Sequence, residues 1–179
     1  MLFNHKRLLL FLFAVFFFTF TSFAQSYDSD KEAKNSVYLD IMGTGGWYSL
    51  NYERIVYTNN NLGLGVSSGV SVMHFKDFDL QFNPDFSIPL SLNAFYGKKH
   101  HLEVGVGSTF ASVVRADEDY FAKRYLNVNL TMTLGYRYQK PGGGFMFRAA
   151  YTPIVPVYRQ ITENGSFKNW FSLSFGYSF

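Results

Sequence analysis

The sequence predicts an all-β chain: eight antiparallel strands closed into an up-and-down transmembrane β-barrel, preceded by an N-terminal signal peptide. Three observations carry this expectation. The first 24 residues have the anatomy of an export signal, a two-residue hydrophobic period dominates from Ser36 onward, and the turn-like segments between periodic runs alternate between short and long. Composition agrees. Charged residues make up 16% of the 179 positions and aromatic residues 20%, whereas soluble domains carry roughly 25% charge. Cysteine is absent, which excludes a disulfide framework, a thiolate nucleophile, a zinc-thiolate site and an anchor acylated at an N-terminal cysteine.

The export signal reads from the first residue. His5, Lys6 and Arg7 form a basic start, an apolar run extends from Leu8 to Phe20, and Ser22 and Ala24 put small residues at the −3 and −1 positions of a cleavage site before Gln25. The run is short against the ~20 residues a spanning helix needs. Residues 1–24 are therefore expected to be removed, residues 25–35 to form a short polar tether, and residues 36–179 to form the barrel. Without Lys6 and Arg7 the formal charge falls from +3 to +1. So even a balance gives no reason to expect a nucleic-acid partner.

Strands follow from alternation, because successive side chains of a strand point to opposite faces. Leu62, Leu64, Val66, Val70 and Val72 alternate with Gly63, Gly65, Ser67, Gly69 and Ser71. Leu126, Val128, Leu130, Met132, Leu134 and Tyr136 alternate with Asn127, Asn129, Thr131, Thr133, Gly135 and Arg137. Segments between turn signals number eight: Ser36–Met42, Gly46–Tyr57, Leu62–Phe75, Phe86–Tyr96, His101–Arg115, Arg124–Gln139, Phe145–Pro156 and Trp170–Phe179. Short turns (residues 58–61, 97–100 and 140–144) alternate with longer loops (76–85, 116–123 and 157–169), apart from the tight connection Gly43–Gly45. Membrane barrels have short periplasmic turns and longer outside loops.

Face chemistry selects lipid as the outer environment. The polar face is Gly, Ser, Asn and Thr, small enough to fill an eight-stranded interior that is only wide enough for side chains. The other face, of Leu, Val, Phe and Tyr, suits hydrocarbon. Aromatics gather at both strand ends: Tyr57, Tyr96, Tyr138, Phe145 and Phe179 toward the turns, and Trp47, Phe75, Phe86, Tyr120, Phe121 and Trp170 toward the loops. Two such bands are interfacial girdles. A soluble carrier with its apolar face inward is the opposing reading, and it would need a charged outer face that is missing here.

In this pattern the chain resembles the small OmpA/OmpX-type outer-membrane barrels of Gram-negative bacteria over Ser36–Phe179. The sharpest element is the last strand, where Phe171, Leu173, Phe175, Tyr177 and Phe179 alternate with Ser and Gly. The resemblance implies location in the cell outer membrane, contact with its lipids and lipopolysaccharide, and reading of the terminal aromatic strand by the outer-membrane assembly machinery. It leaves no room for the periplasmic peptidoglycan-binding domain that some relatives carry.

The polar face carries five charges: Asp40, Glu53, Glu103, Arg137 and Arg148. Buried charges must be paired, so a salt-bridged plug is the favoured reading over an ion or proton path. No catalytic set is evident. His100 and His101 fall at a short turn, where solvent is expected. His74 has Val72 and Lys76 two residues away, so the His and Ser pair of lipid-deacylating barrels is missing. Asp77, Asp79 and Asp85 on one loop, and Asp117, Glu118 and Asp119 on the next, lack an EF-hand spacing and read as solvated charge, not a metal site. Gly142–Gly144 precedes a strand, not a helix, and is no phosphate loop. No cofactor is expected. The leading functional reading is a non-enzymatic surface protein presenting loops for binding, adhesion or envelope integrity, its surface ligand unnamed by the sequence. A lipid A-modifying enzyme and a narrow pore are the alternatives.

The assembly reading is testable at one residue. Phe179→Asp should lower the amount of protein inserted in the outer membrane, measured by blotting membrane fractions, and unchanged levels would count against it.

Overall fold

The computed structural model describes residues 32–73, 83–116, 121–160 and 167–179. The signal peptide, tether residues 25–31, His74, Phe75, Lys76, Asp77, Asp79, Asp117, Glu118, Asp119 and Tyr120 lie outside the described residues. Nine strand segments are present among them: β1 (Asn35–Gly43), β2 (Gly46–Asn59), β3 (Leu62–Met73), β4 (Asp85–Gly97), β5 (His100–Ala116), β6 (Ala122–Tyr138), β7 (Gly144–Tyr151), β8 (Ile154–Arg159) and β9 (Phe171–Ser178). Every pairing is antiparallel. Each of β1 to β6 pairs with the next, β6 pairs with β7, β7 with β9, and β9 with β1, which closes the ring. No described helix is long and apolar enough to cross a membrane, a criterion silent on β-barrels.

The count of eight walls holds because β7 and β8 are two halves of one wall. Both pair with β6, β7 along Leu134–Tyr138 and β8 along Asn127–Thr131. The interruption falls at Thr152 and Pro153. Proline has no N–H to give the ladder, so the expected continuous strand Phe145–Pro156 splits there. Thr152 N instead donates to Trp170 O at 2.7 Å, and Pro153 O accepts from Met132 N at 3.2 Å. Pro156 faces Asn129 at a register shift.

Pairing of the barrel reaches ahead of the expected start at Ser36. Asn35 already belongs to β1 and exchanges backbone hydrogen bonds with Phe179 at 2.8 and 2.9 Å, while Lys34 O accepts from Ile55 N and Ala33 N donates to Pro141 O, each at 2.7 Å. Backbone pairing thus begins two residues ahead of Asn35, because Pro141 in the β6–β7 turn and Ile55 of β2 offer partners that a polar local sequence does not reveal.

Alternation becomes inside and outside. Along β3 the residues from Leu62 to Val72 switch between exposed and buried at every step, with the glycines and Ser67 and Ser71 buried. Leu102, Leu134, Leu92 and Val56 are all more than half exposed, and Glu53, Ser49, Ser174, Glu103 and Arg137 are fully buried. The molecule is therefore apolar outside and polar inside. In β6–β7 the turn needs Gly143 and Gly144, whose φ values of +90° and +104° lie in the left-handed region that side chains with a Cβ avoid.

One glycine shows how tightly the walls approach. A Cβ at Gly135 would sit 2.4 Å from the Ala149 backbone oxygen and 2.5 Å from Ala150 Cβ. Gly135→Val should therefore destabilise the barrel by about 1–3 kcal/mol or more, seen as an earlier urea midpoint in detergent. Leu134→Val, one residue away on the outer face, should change the midpoint little.

Candidate functional site: the luminal charge network

The lumen is built from side chains that every second residue sends inward. Asp40 comes from β1, Glu53 from β2, Glu103 from β5, Arg137 from β6 and Arg148 from β7, and all five are buried. Arg137 lies at the centre. Its Nε donates to Glu103 Oε2 at 3.0 Å, one terminal nitrogen donates to Glu103 Oε1 at 3.1 Å and to Glu53 Oε2 at 2.6 Å, and the other donates to Gln139 Oε1 at 3.2 Å. Such two-pronged contact uses the planar fork of the guanidinium, which a lysine cannot reproduce.

Arg148 extends the network toward the loop end. It donates to Glu103 Oε1 at 3.0 Å and to Ser174 Oγ at 3.1 Å, and its other terminal nitrogen stands 4.0 Å from Asp40 Oδ2. Ser174 Oγ in turn donates to Asp40 Oδ1 at 2.8 Å. Arg137 and Arg148 are direct cross-strand partners, an arrangement that like charges oppose. Glu103 resolves the conflict by accepting from both guanidiniums. Each guanidinium also rests on an inward aromatic ring, Arg137 at 4.5 Å from the Phe95 centroid and Arg148 at 4.7 Å from that of Tyr38, where the ring face attracts a cation.

Glycines admit these large groups. A Cβ at Gly65 would lie 2.3 Å from Glu53 Oε1, and one at Gly63 would meet the Phe95 ring at 2.2 Å. Around the rest of the lumen, hydroxyls pair across strands: Ser36 with Ser178 at 2.9 Å, Ser67 with Ser91 at 2.5 Å, and Thr152 with Ser172 at 3.0 Å.

The loop end closes differently. The tight β1–β2 connection bends into the barrel, where Thr44 O accepts from Thr109 Oγ1 and Gly45 O from Ser87 Oγ, both at 2.6 Å. The first hairpin thereby reaches β4 and β5. Its tightness, the exception in the sequence pattern, belongs to a connection that folds across the opening.

Two sequence expectations require correction. His101 is not a solvated turn residue: it is buried, its Nε2 lies 3.1 Å from Gln139 O, and its ring meets Phe95 edge-on at 5.3 Å. It shares the parity of Glu103, two residues on, and so faces the lumen. His100 points outward, with Nδ1 2.6 Å from Tyr136 Oη. Asp85 is not a free loop charge either. It is buried at the start of β4, accepts from Val114 N at 2.7 Å and pairs with Arg115 at 3.2 Å. Sequence reading also passed over Tyr38, Phe95 and Gln139. Their parity relative to Asp40, Asn93 and Arg137 marks them as inward, but the two aromatic rings suit the outer face and Gln139 stands just past the end of β6.

The terminal strand behaves as a wall with two chemistries. Phe171, Leu173, Phe175, Tyr177 and Phe179 are exposed on the outer face, while Ser172, Ser174 and Ser178 are buried. At the loop end Trp47 and Trp170 stack edge-to-face at 5.8 Å, and Tyr48 Oη donates to Val72 O. Among the described residues no group of three His, Asp or Glu could hold a metal ion.

Taken with the closed ring, this packed polar lumen defines a class, the small eight-stranded antiparallel barrel. Among solved structures the chain is similar to the N-terminal β-barrel domain of Pseudomonas aeruginosa OprF, with a TM-score of 0.52 at 12% identity over 83% of this chain and 98% of that one. At that identity the likeness establishes the fold. No protein-family model matches the sequence, and no curated protein matches it.

The network yields a coupling prediction. Arg137→Ala leaves Glu53 and Glu103 without their shared cation, and breaking a buried pair costs about 3–5 kcal/mol, less where water enters. Glu103→Ala added to Arg137→Ala should recover part of the loss in a denaturant titration. A double-mutant cycle with no coupling between the two would refute the pairing.

Proposed function

We propose that the protein is an integral outer-membrane β-barrel, exported by a cleaved signal peptide, that acts without catalysis by holding its loops at the cell surface for binding, adhesion or envelope integrity. The observation that carries this reading is the combination of an apolar outer wall with a lumen filled by its own side chains. An apolar wall fits lipid, and a filled lumen leaves the outer ends of the strands as the parts free to meet other molecules.

Those ends are built stiffly. β5 and β6 stay paired to Ala116 and Ala122, beyond the point where β4 ends opposite Ser112. The hairpin is held to its neighbour by Asp85, which accepts from Val114 N, and by Arg124, which donates to Pro84 O at 3.2 and 3.3 Å and to Ser112 Oγ at 3.2 Å. A stiff stalk loses little conformational entropy when its tip binds a partner. The exposed aromatics Trp47, Phe86 and Phe121 at this end, and Tyr57, Tyr96, Phe145 and Phe179 at the other, suit the two membrane interfaces, with outer-membrane lipids and lipopolysaccharide as their contacts. The closing bonds between Phe179 and Asn35 give the terminal strand a reason to be recognised during assembly, since the ring is completed there.

A tag inserted between Ala116 and Lys123 should react with antibody on intact cells, and one between Lys140 and Gly144 should react only after permeabilisation. Purified protein in a planar bilayer should show negligible ionic conductance. Surface labelling of the Lys140–Gly144 tag would reverse the topology, and a steady large conductance would favour a pore.

A further inference from the structure

A groove of about 700 Å³ crosses the outer wall over β9 and β7, within the size range of ligand pockets. Its sides are apolar and exposed: Ile41 and Met42 at the end of β1, Phe171 and Leu173 on β9, and Leu134 on β6. Ala150 and Ser172, whose side chains are buried, also line it, so the groove reaches down to the strands themselves.

One small residue accounts for the groove. The outward positions of β7 are Phe145, Phe147, Ala149 and Tyr151. Ala149 pairs with Leu173 on one side and Tyr136 on the other. Along the strands, the rows on either side of it are filled by aromatic pairs, Phe147 with Phe175 at 5.3 Å and Tyr151 with Phe171 at 5.4 Å. The alanine row therefore lies lower than its neighbours.

Exposed polar atoms gather at the loop-ward end of the groove, where Tyr151 Oη donates to Asn169 Oδ1. That bond fixes the amide. Its Nδ2 is a donor, and among the described residues it has no acceptor. A narrow apolar depression with a donor at one end matches an acyl chain that carries a carbonyl at its head. A second barrel would bring a broad convex wall, which meets such a depression poorly.

We propose that this groove seats one acyl chain of an ester-linked membrane lipid, its ester carbonyl accepting from Asn169 Nδ2. The inference rests on the reading that the outer wall faces lipid. Hydrocarbon gains little by exchanging one apolar neighbour for another, so packing and that hydrogen bond set the preference. They distinguish the seated lipid from those that only surround the barrel.

The test uses the full-length protein, inserted in phosphatidylglycerol vesicles, re-extracted in a non-ionic detergent and weighed intact by native mass spectrometry. One retained lipid per barrel is the expected result. The diester lipid should be retained about fivefold better than the diether lipid of the same chains, the effect of one hydrogen bond, and Asn169→Leu should erase that difference. Asn169 is exposed, so its substitution tests the site without disturbing the wall. Ala149→Phe, which fills the groove and leaves the lumen alone, should lower retention about tenfold, while Val104→Phe on the outward face of β5 should leave it unchanged. Undiminished retention in Ala149→Phe, or equal retention of diester and diether lipid, would overturn the proposal. So would a doubled protein mass that disappears in Ala149→Phe, which gives the groove to a second barrel. Insertion with no retained lipid overturns the groove assignment alone, whereas failure to insert removes the lipid-facing wall on which both readings stand.

Discussion

The structure depends on one constraint: the Arg137 guanidinium sits in the middle of an eight-stranded lumen, and everything around it must supply acceptors. The outer wall is apolar throughout and offers little that discriminates one register from another. Specific register must then come from within. Arg137 takes acceptors from β2, from β5 and from Gln139 just beyond the end of β6, and Glu103 passes the connection to Arg148 on β7. A slip of one residue in any of these strands would turn a charged group onto the apolar outer face and leave its partner unpaired. Such a network is thus weak as a source of net stability and strong as a specification of pairing, a distinction buried ion pairs often show.

The same constraint explains the composition of the interior. Two arginines, two aromatic rings and three carboxylates take most of the room in a lumen only wide enough for side chains. Their neighbours are correspondingly small. Glycine at positions 63 and 65 lies directly against Phe95 and Glu53, and serine or threonine fills the remaining inward sites with hydroxyl pairs. At the loop end the β1–β2 connection turns inward and its carbonyls take hydroxyl donors from Ser87 and Thr109. Backbone closes that end, with the Asp85–Arg115 ion pair as its own charge contact.

Much of this was legible in the sequence. Period-two alternation placed the eight walls to within a few residues at each end, and parity put Asp40, Glu53, Glu103, Arg137 and Arg148 on one face. What parity could not show was which charges meet across the lumen from strands that are not neighbours. Glu53 and Arg137 are 84 residues apart on strands that are not neighbours in the sheet, so their contact exists only once the ring is closed. The split at Pro153 was hidden because one proline removes a single N–H donor, while Thr152 N beside it still finds an acceptor in Trp170 O and Pro153 O still accepts from Met132 N. The turn signal from Gly97 to His100 masks the parity that His101 shares with Glu103 on the strand that begins there. Tyr38 and Phe95 were missed because aromatic residues in a membrane barrel are expected outside, and an arginine in the lumen inverts that expectation by giving a ring face something to hold.

The central claim is that Arg137 is fully enclosed and bound by Glu53 and Glu103, and hydrogen exchange at its guanidinium tests this most directly. In ¹⁵N-labelled protein in detergent at neutral pH, the Arg137 Nε–H should give a sharp signal that exchanges with solvent orders of magnitude more slowly than that of the partly exposed Arg115. Slow exchange that is lost in Glu103→Ala is the predicted result. An Arg137 signal that exchanges as fast as that of Arg115 in the wild-type protein would contradict the account, because water would then have free access to the group on which the packing of the lumen is built.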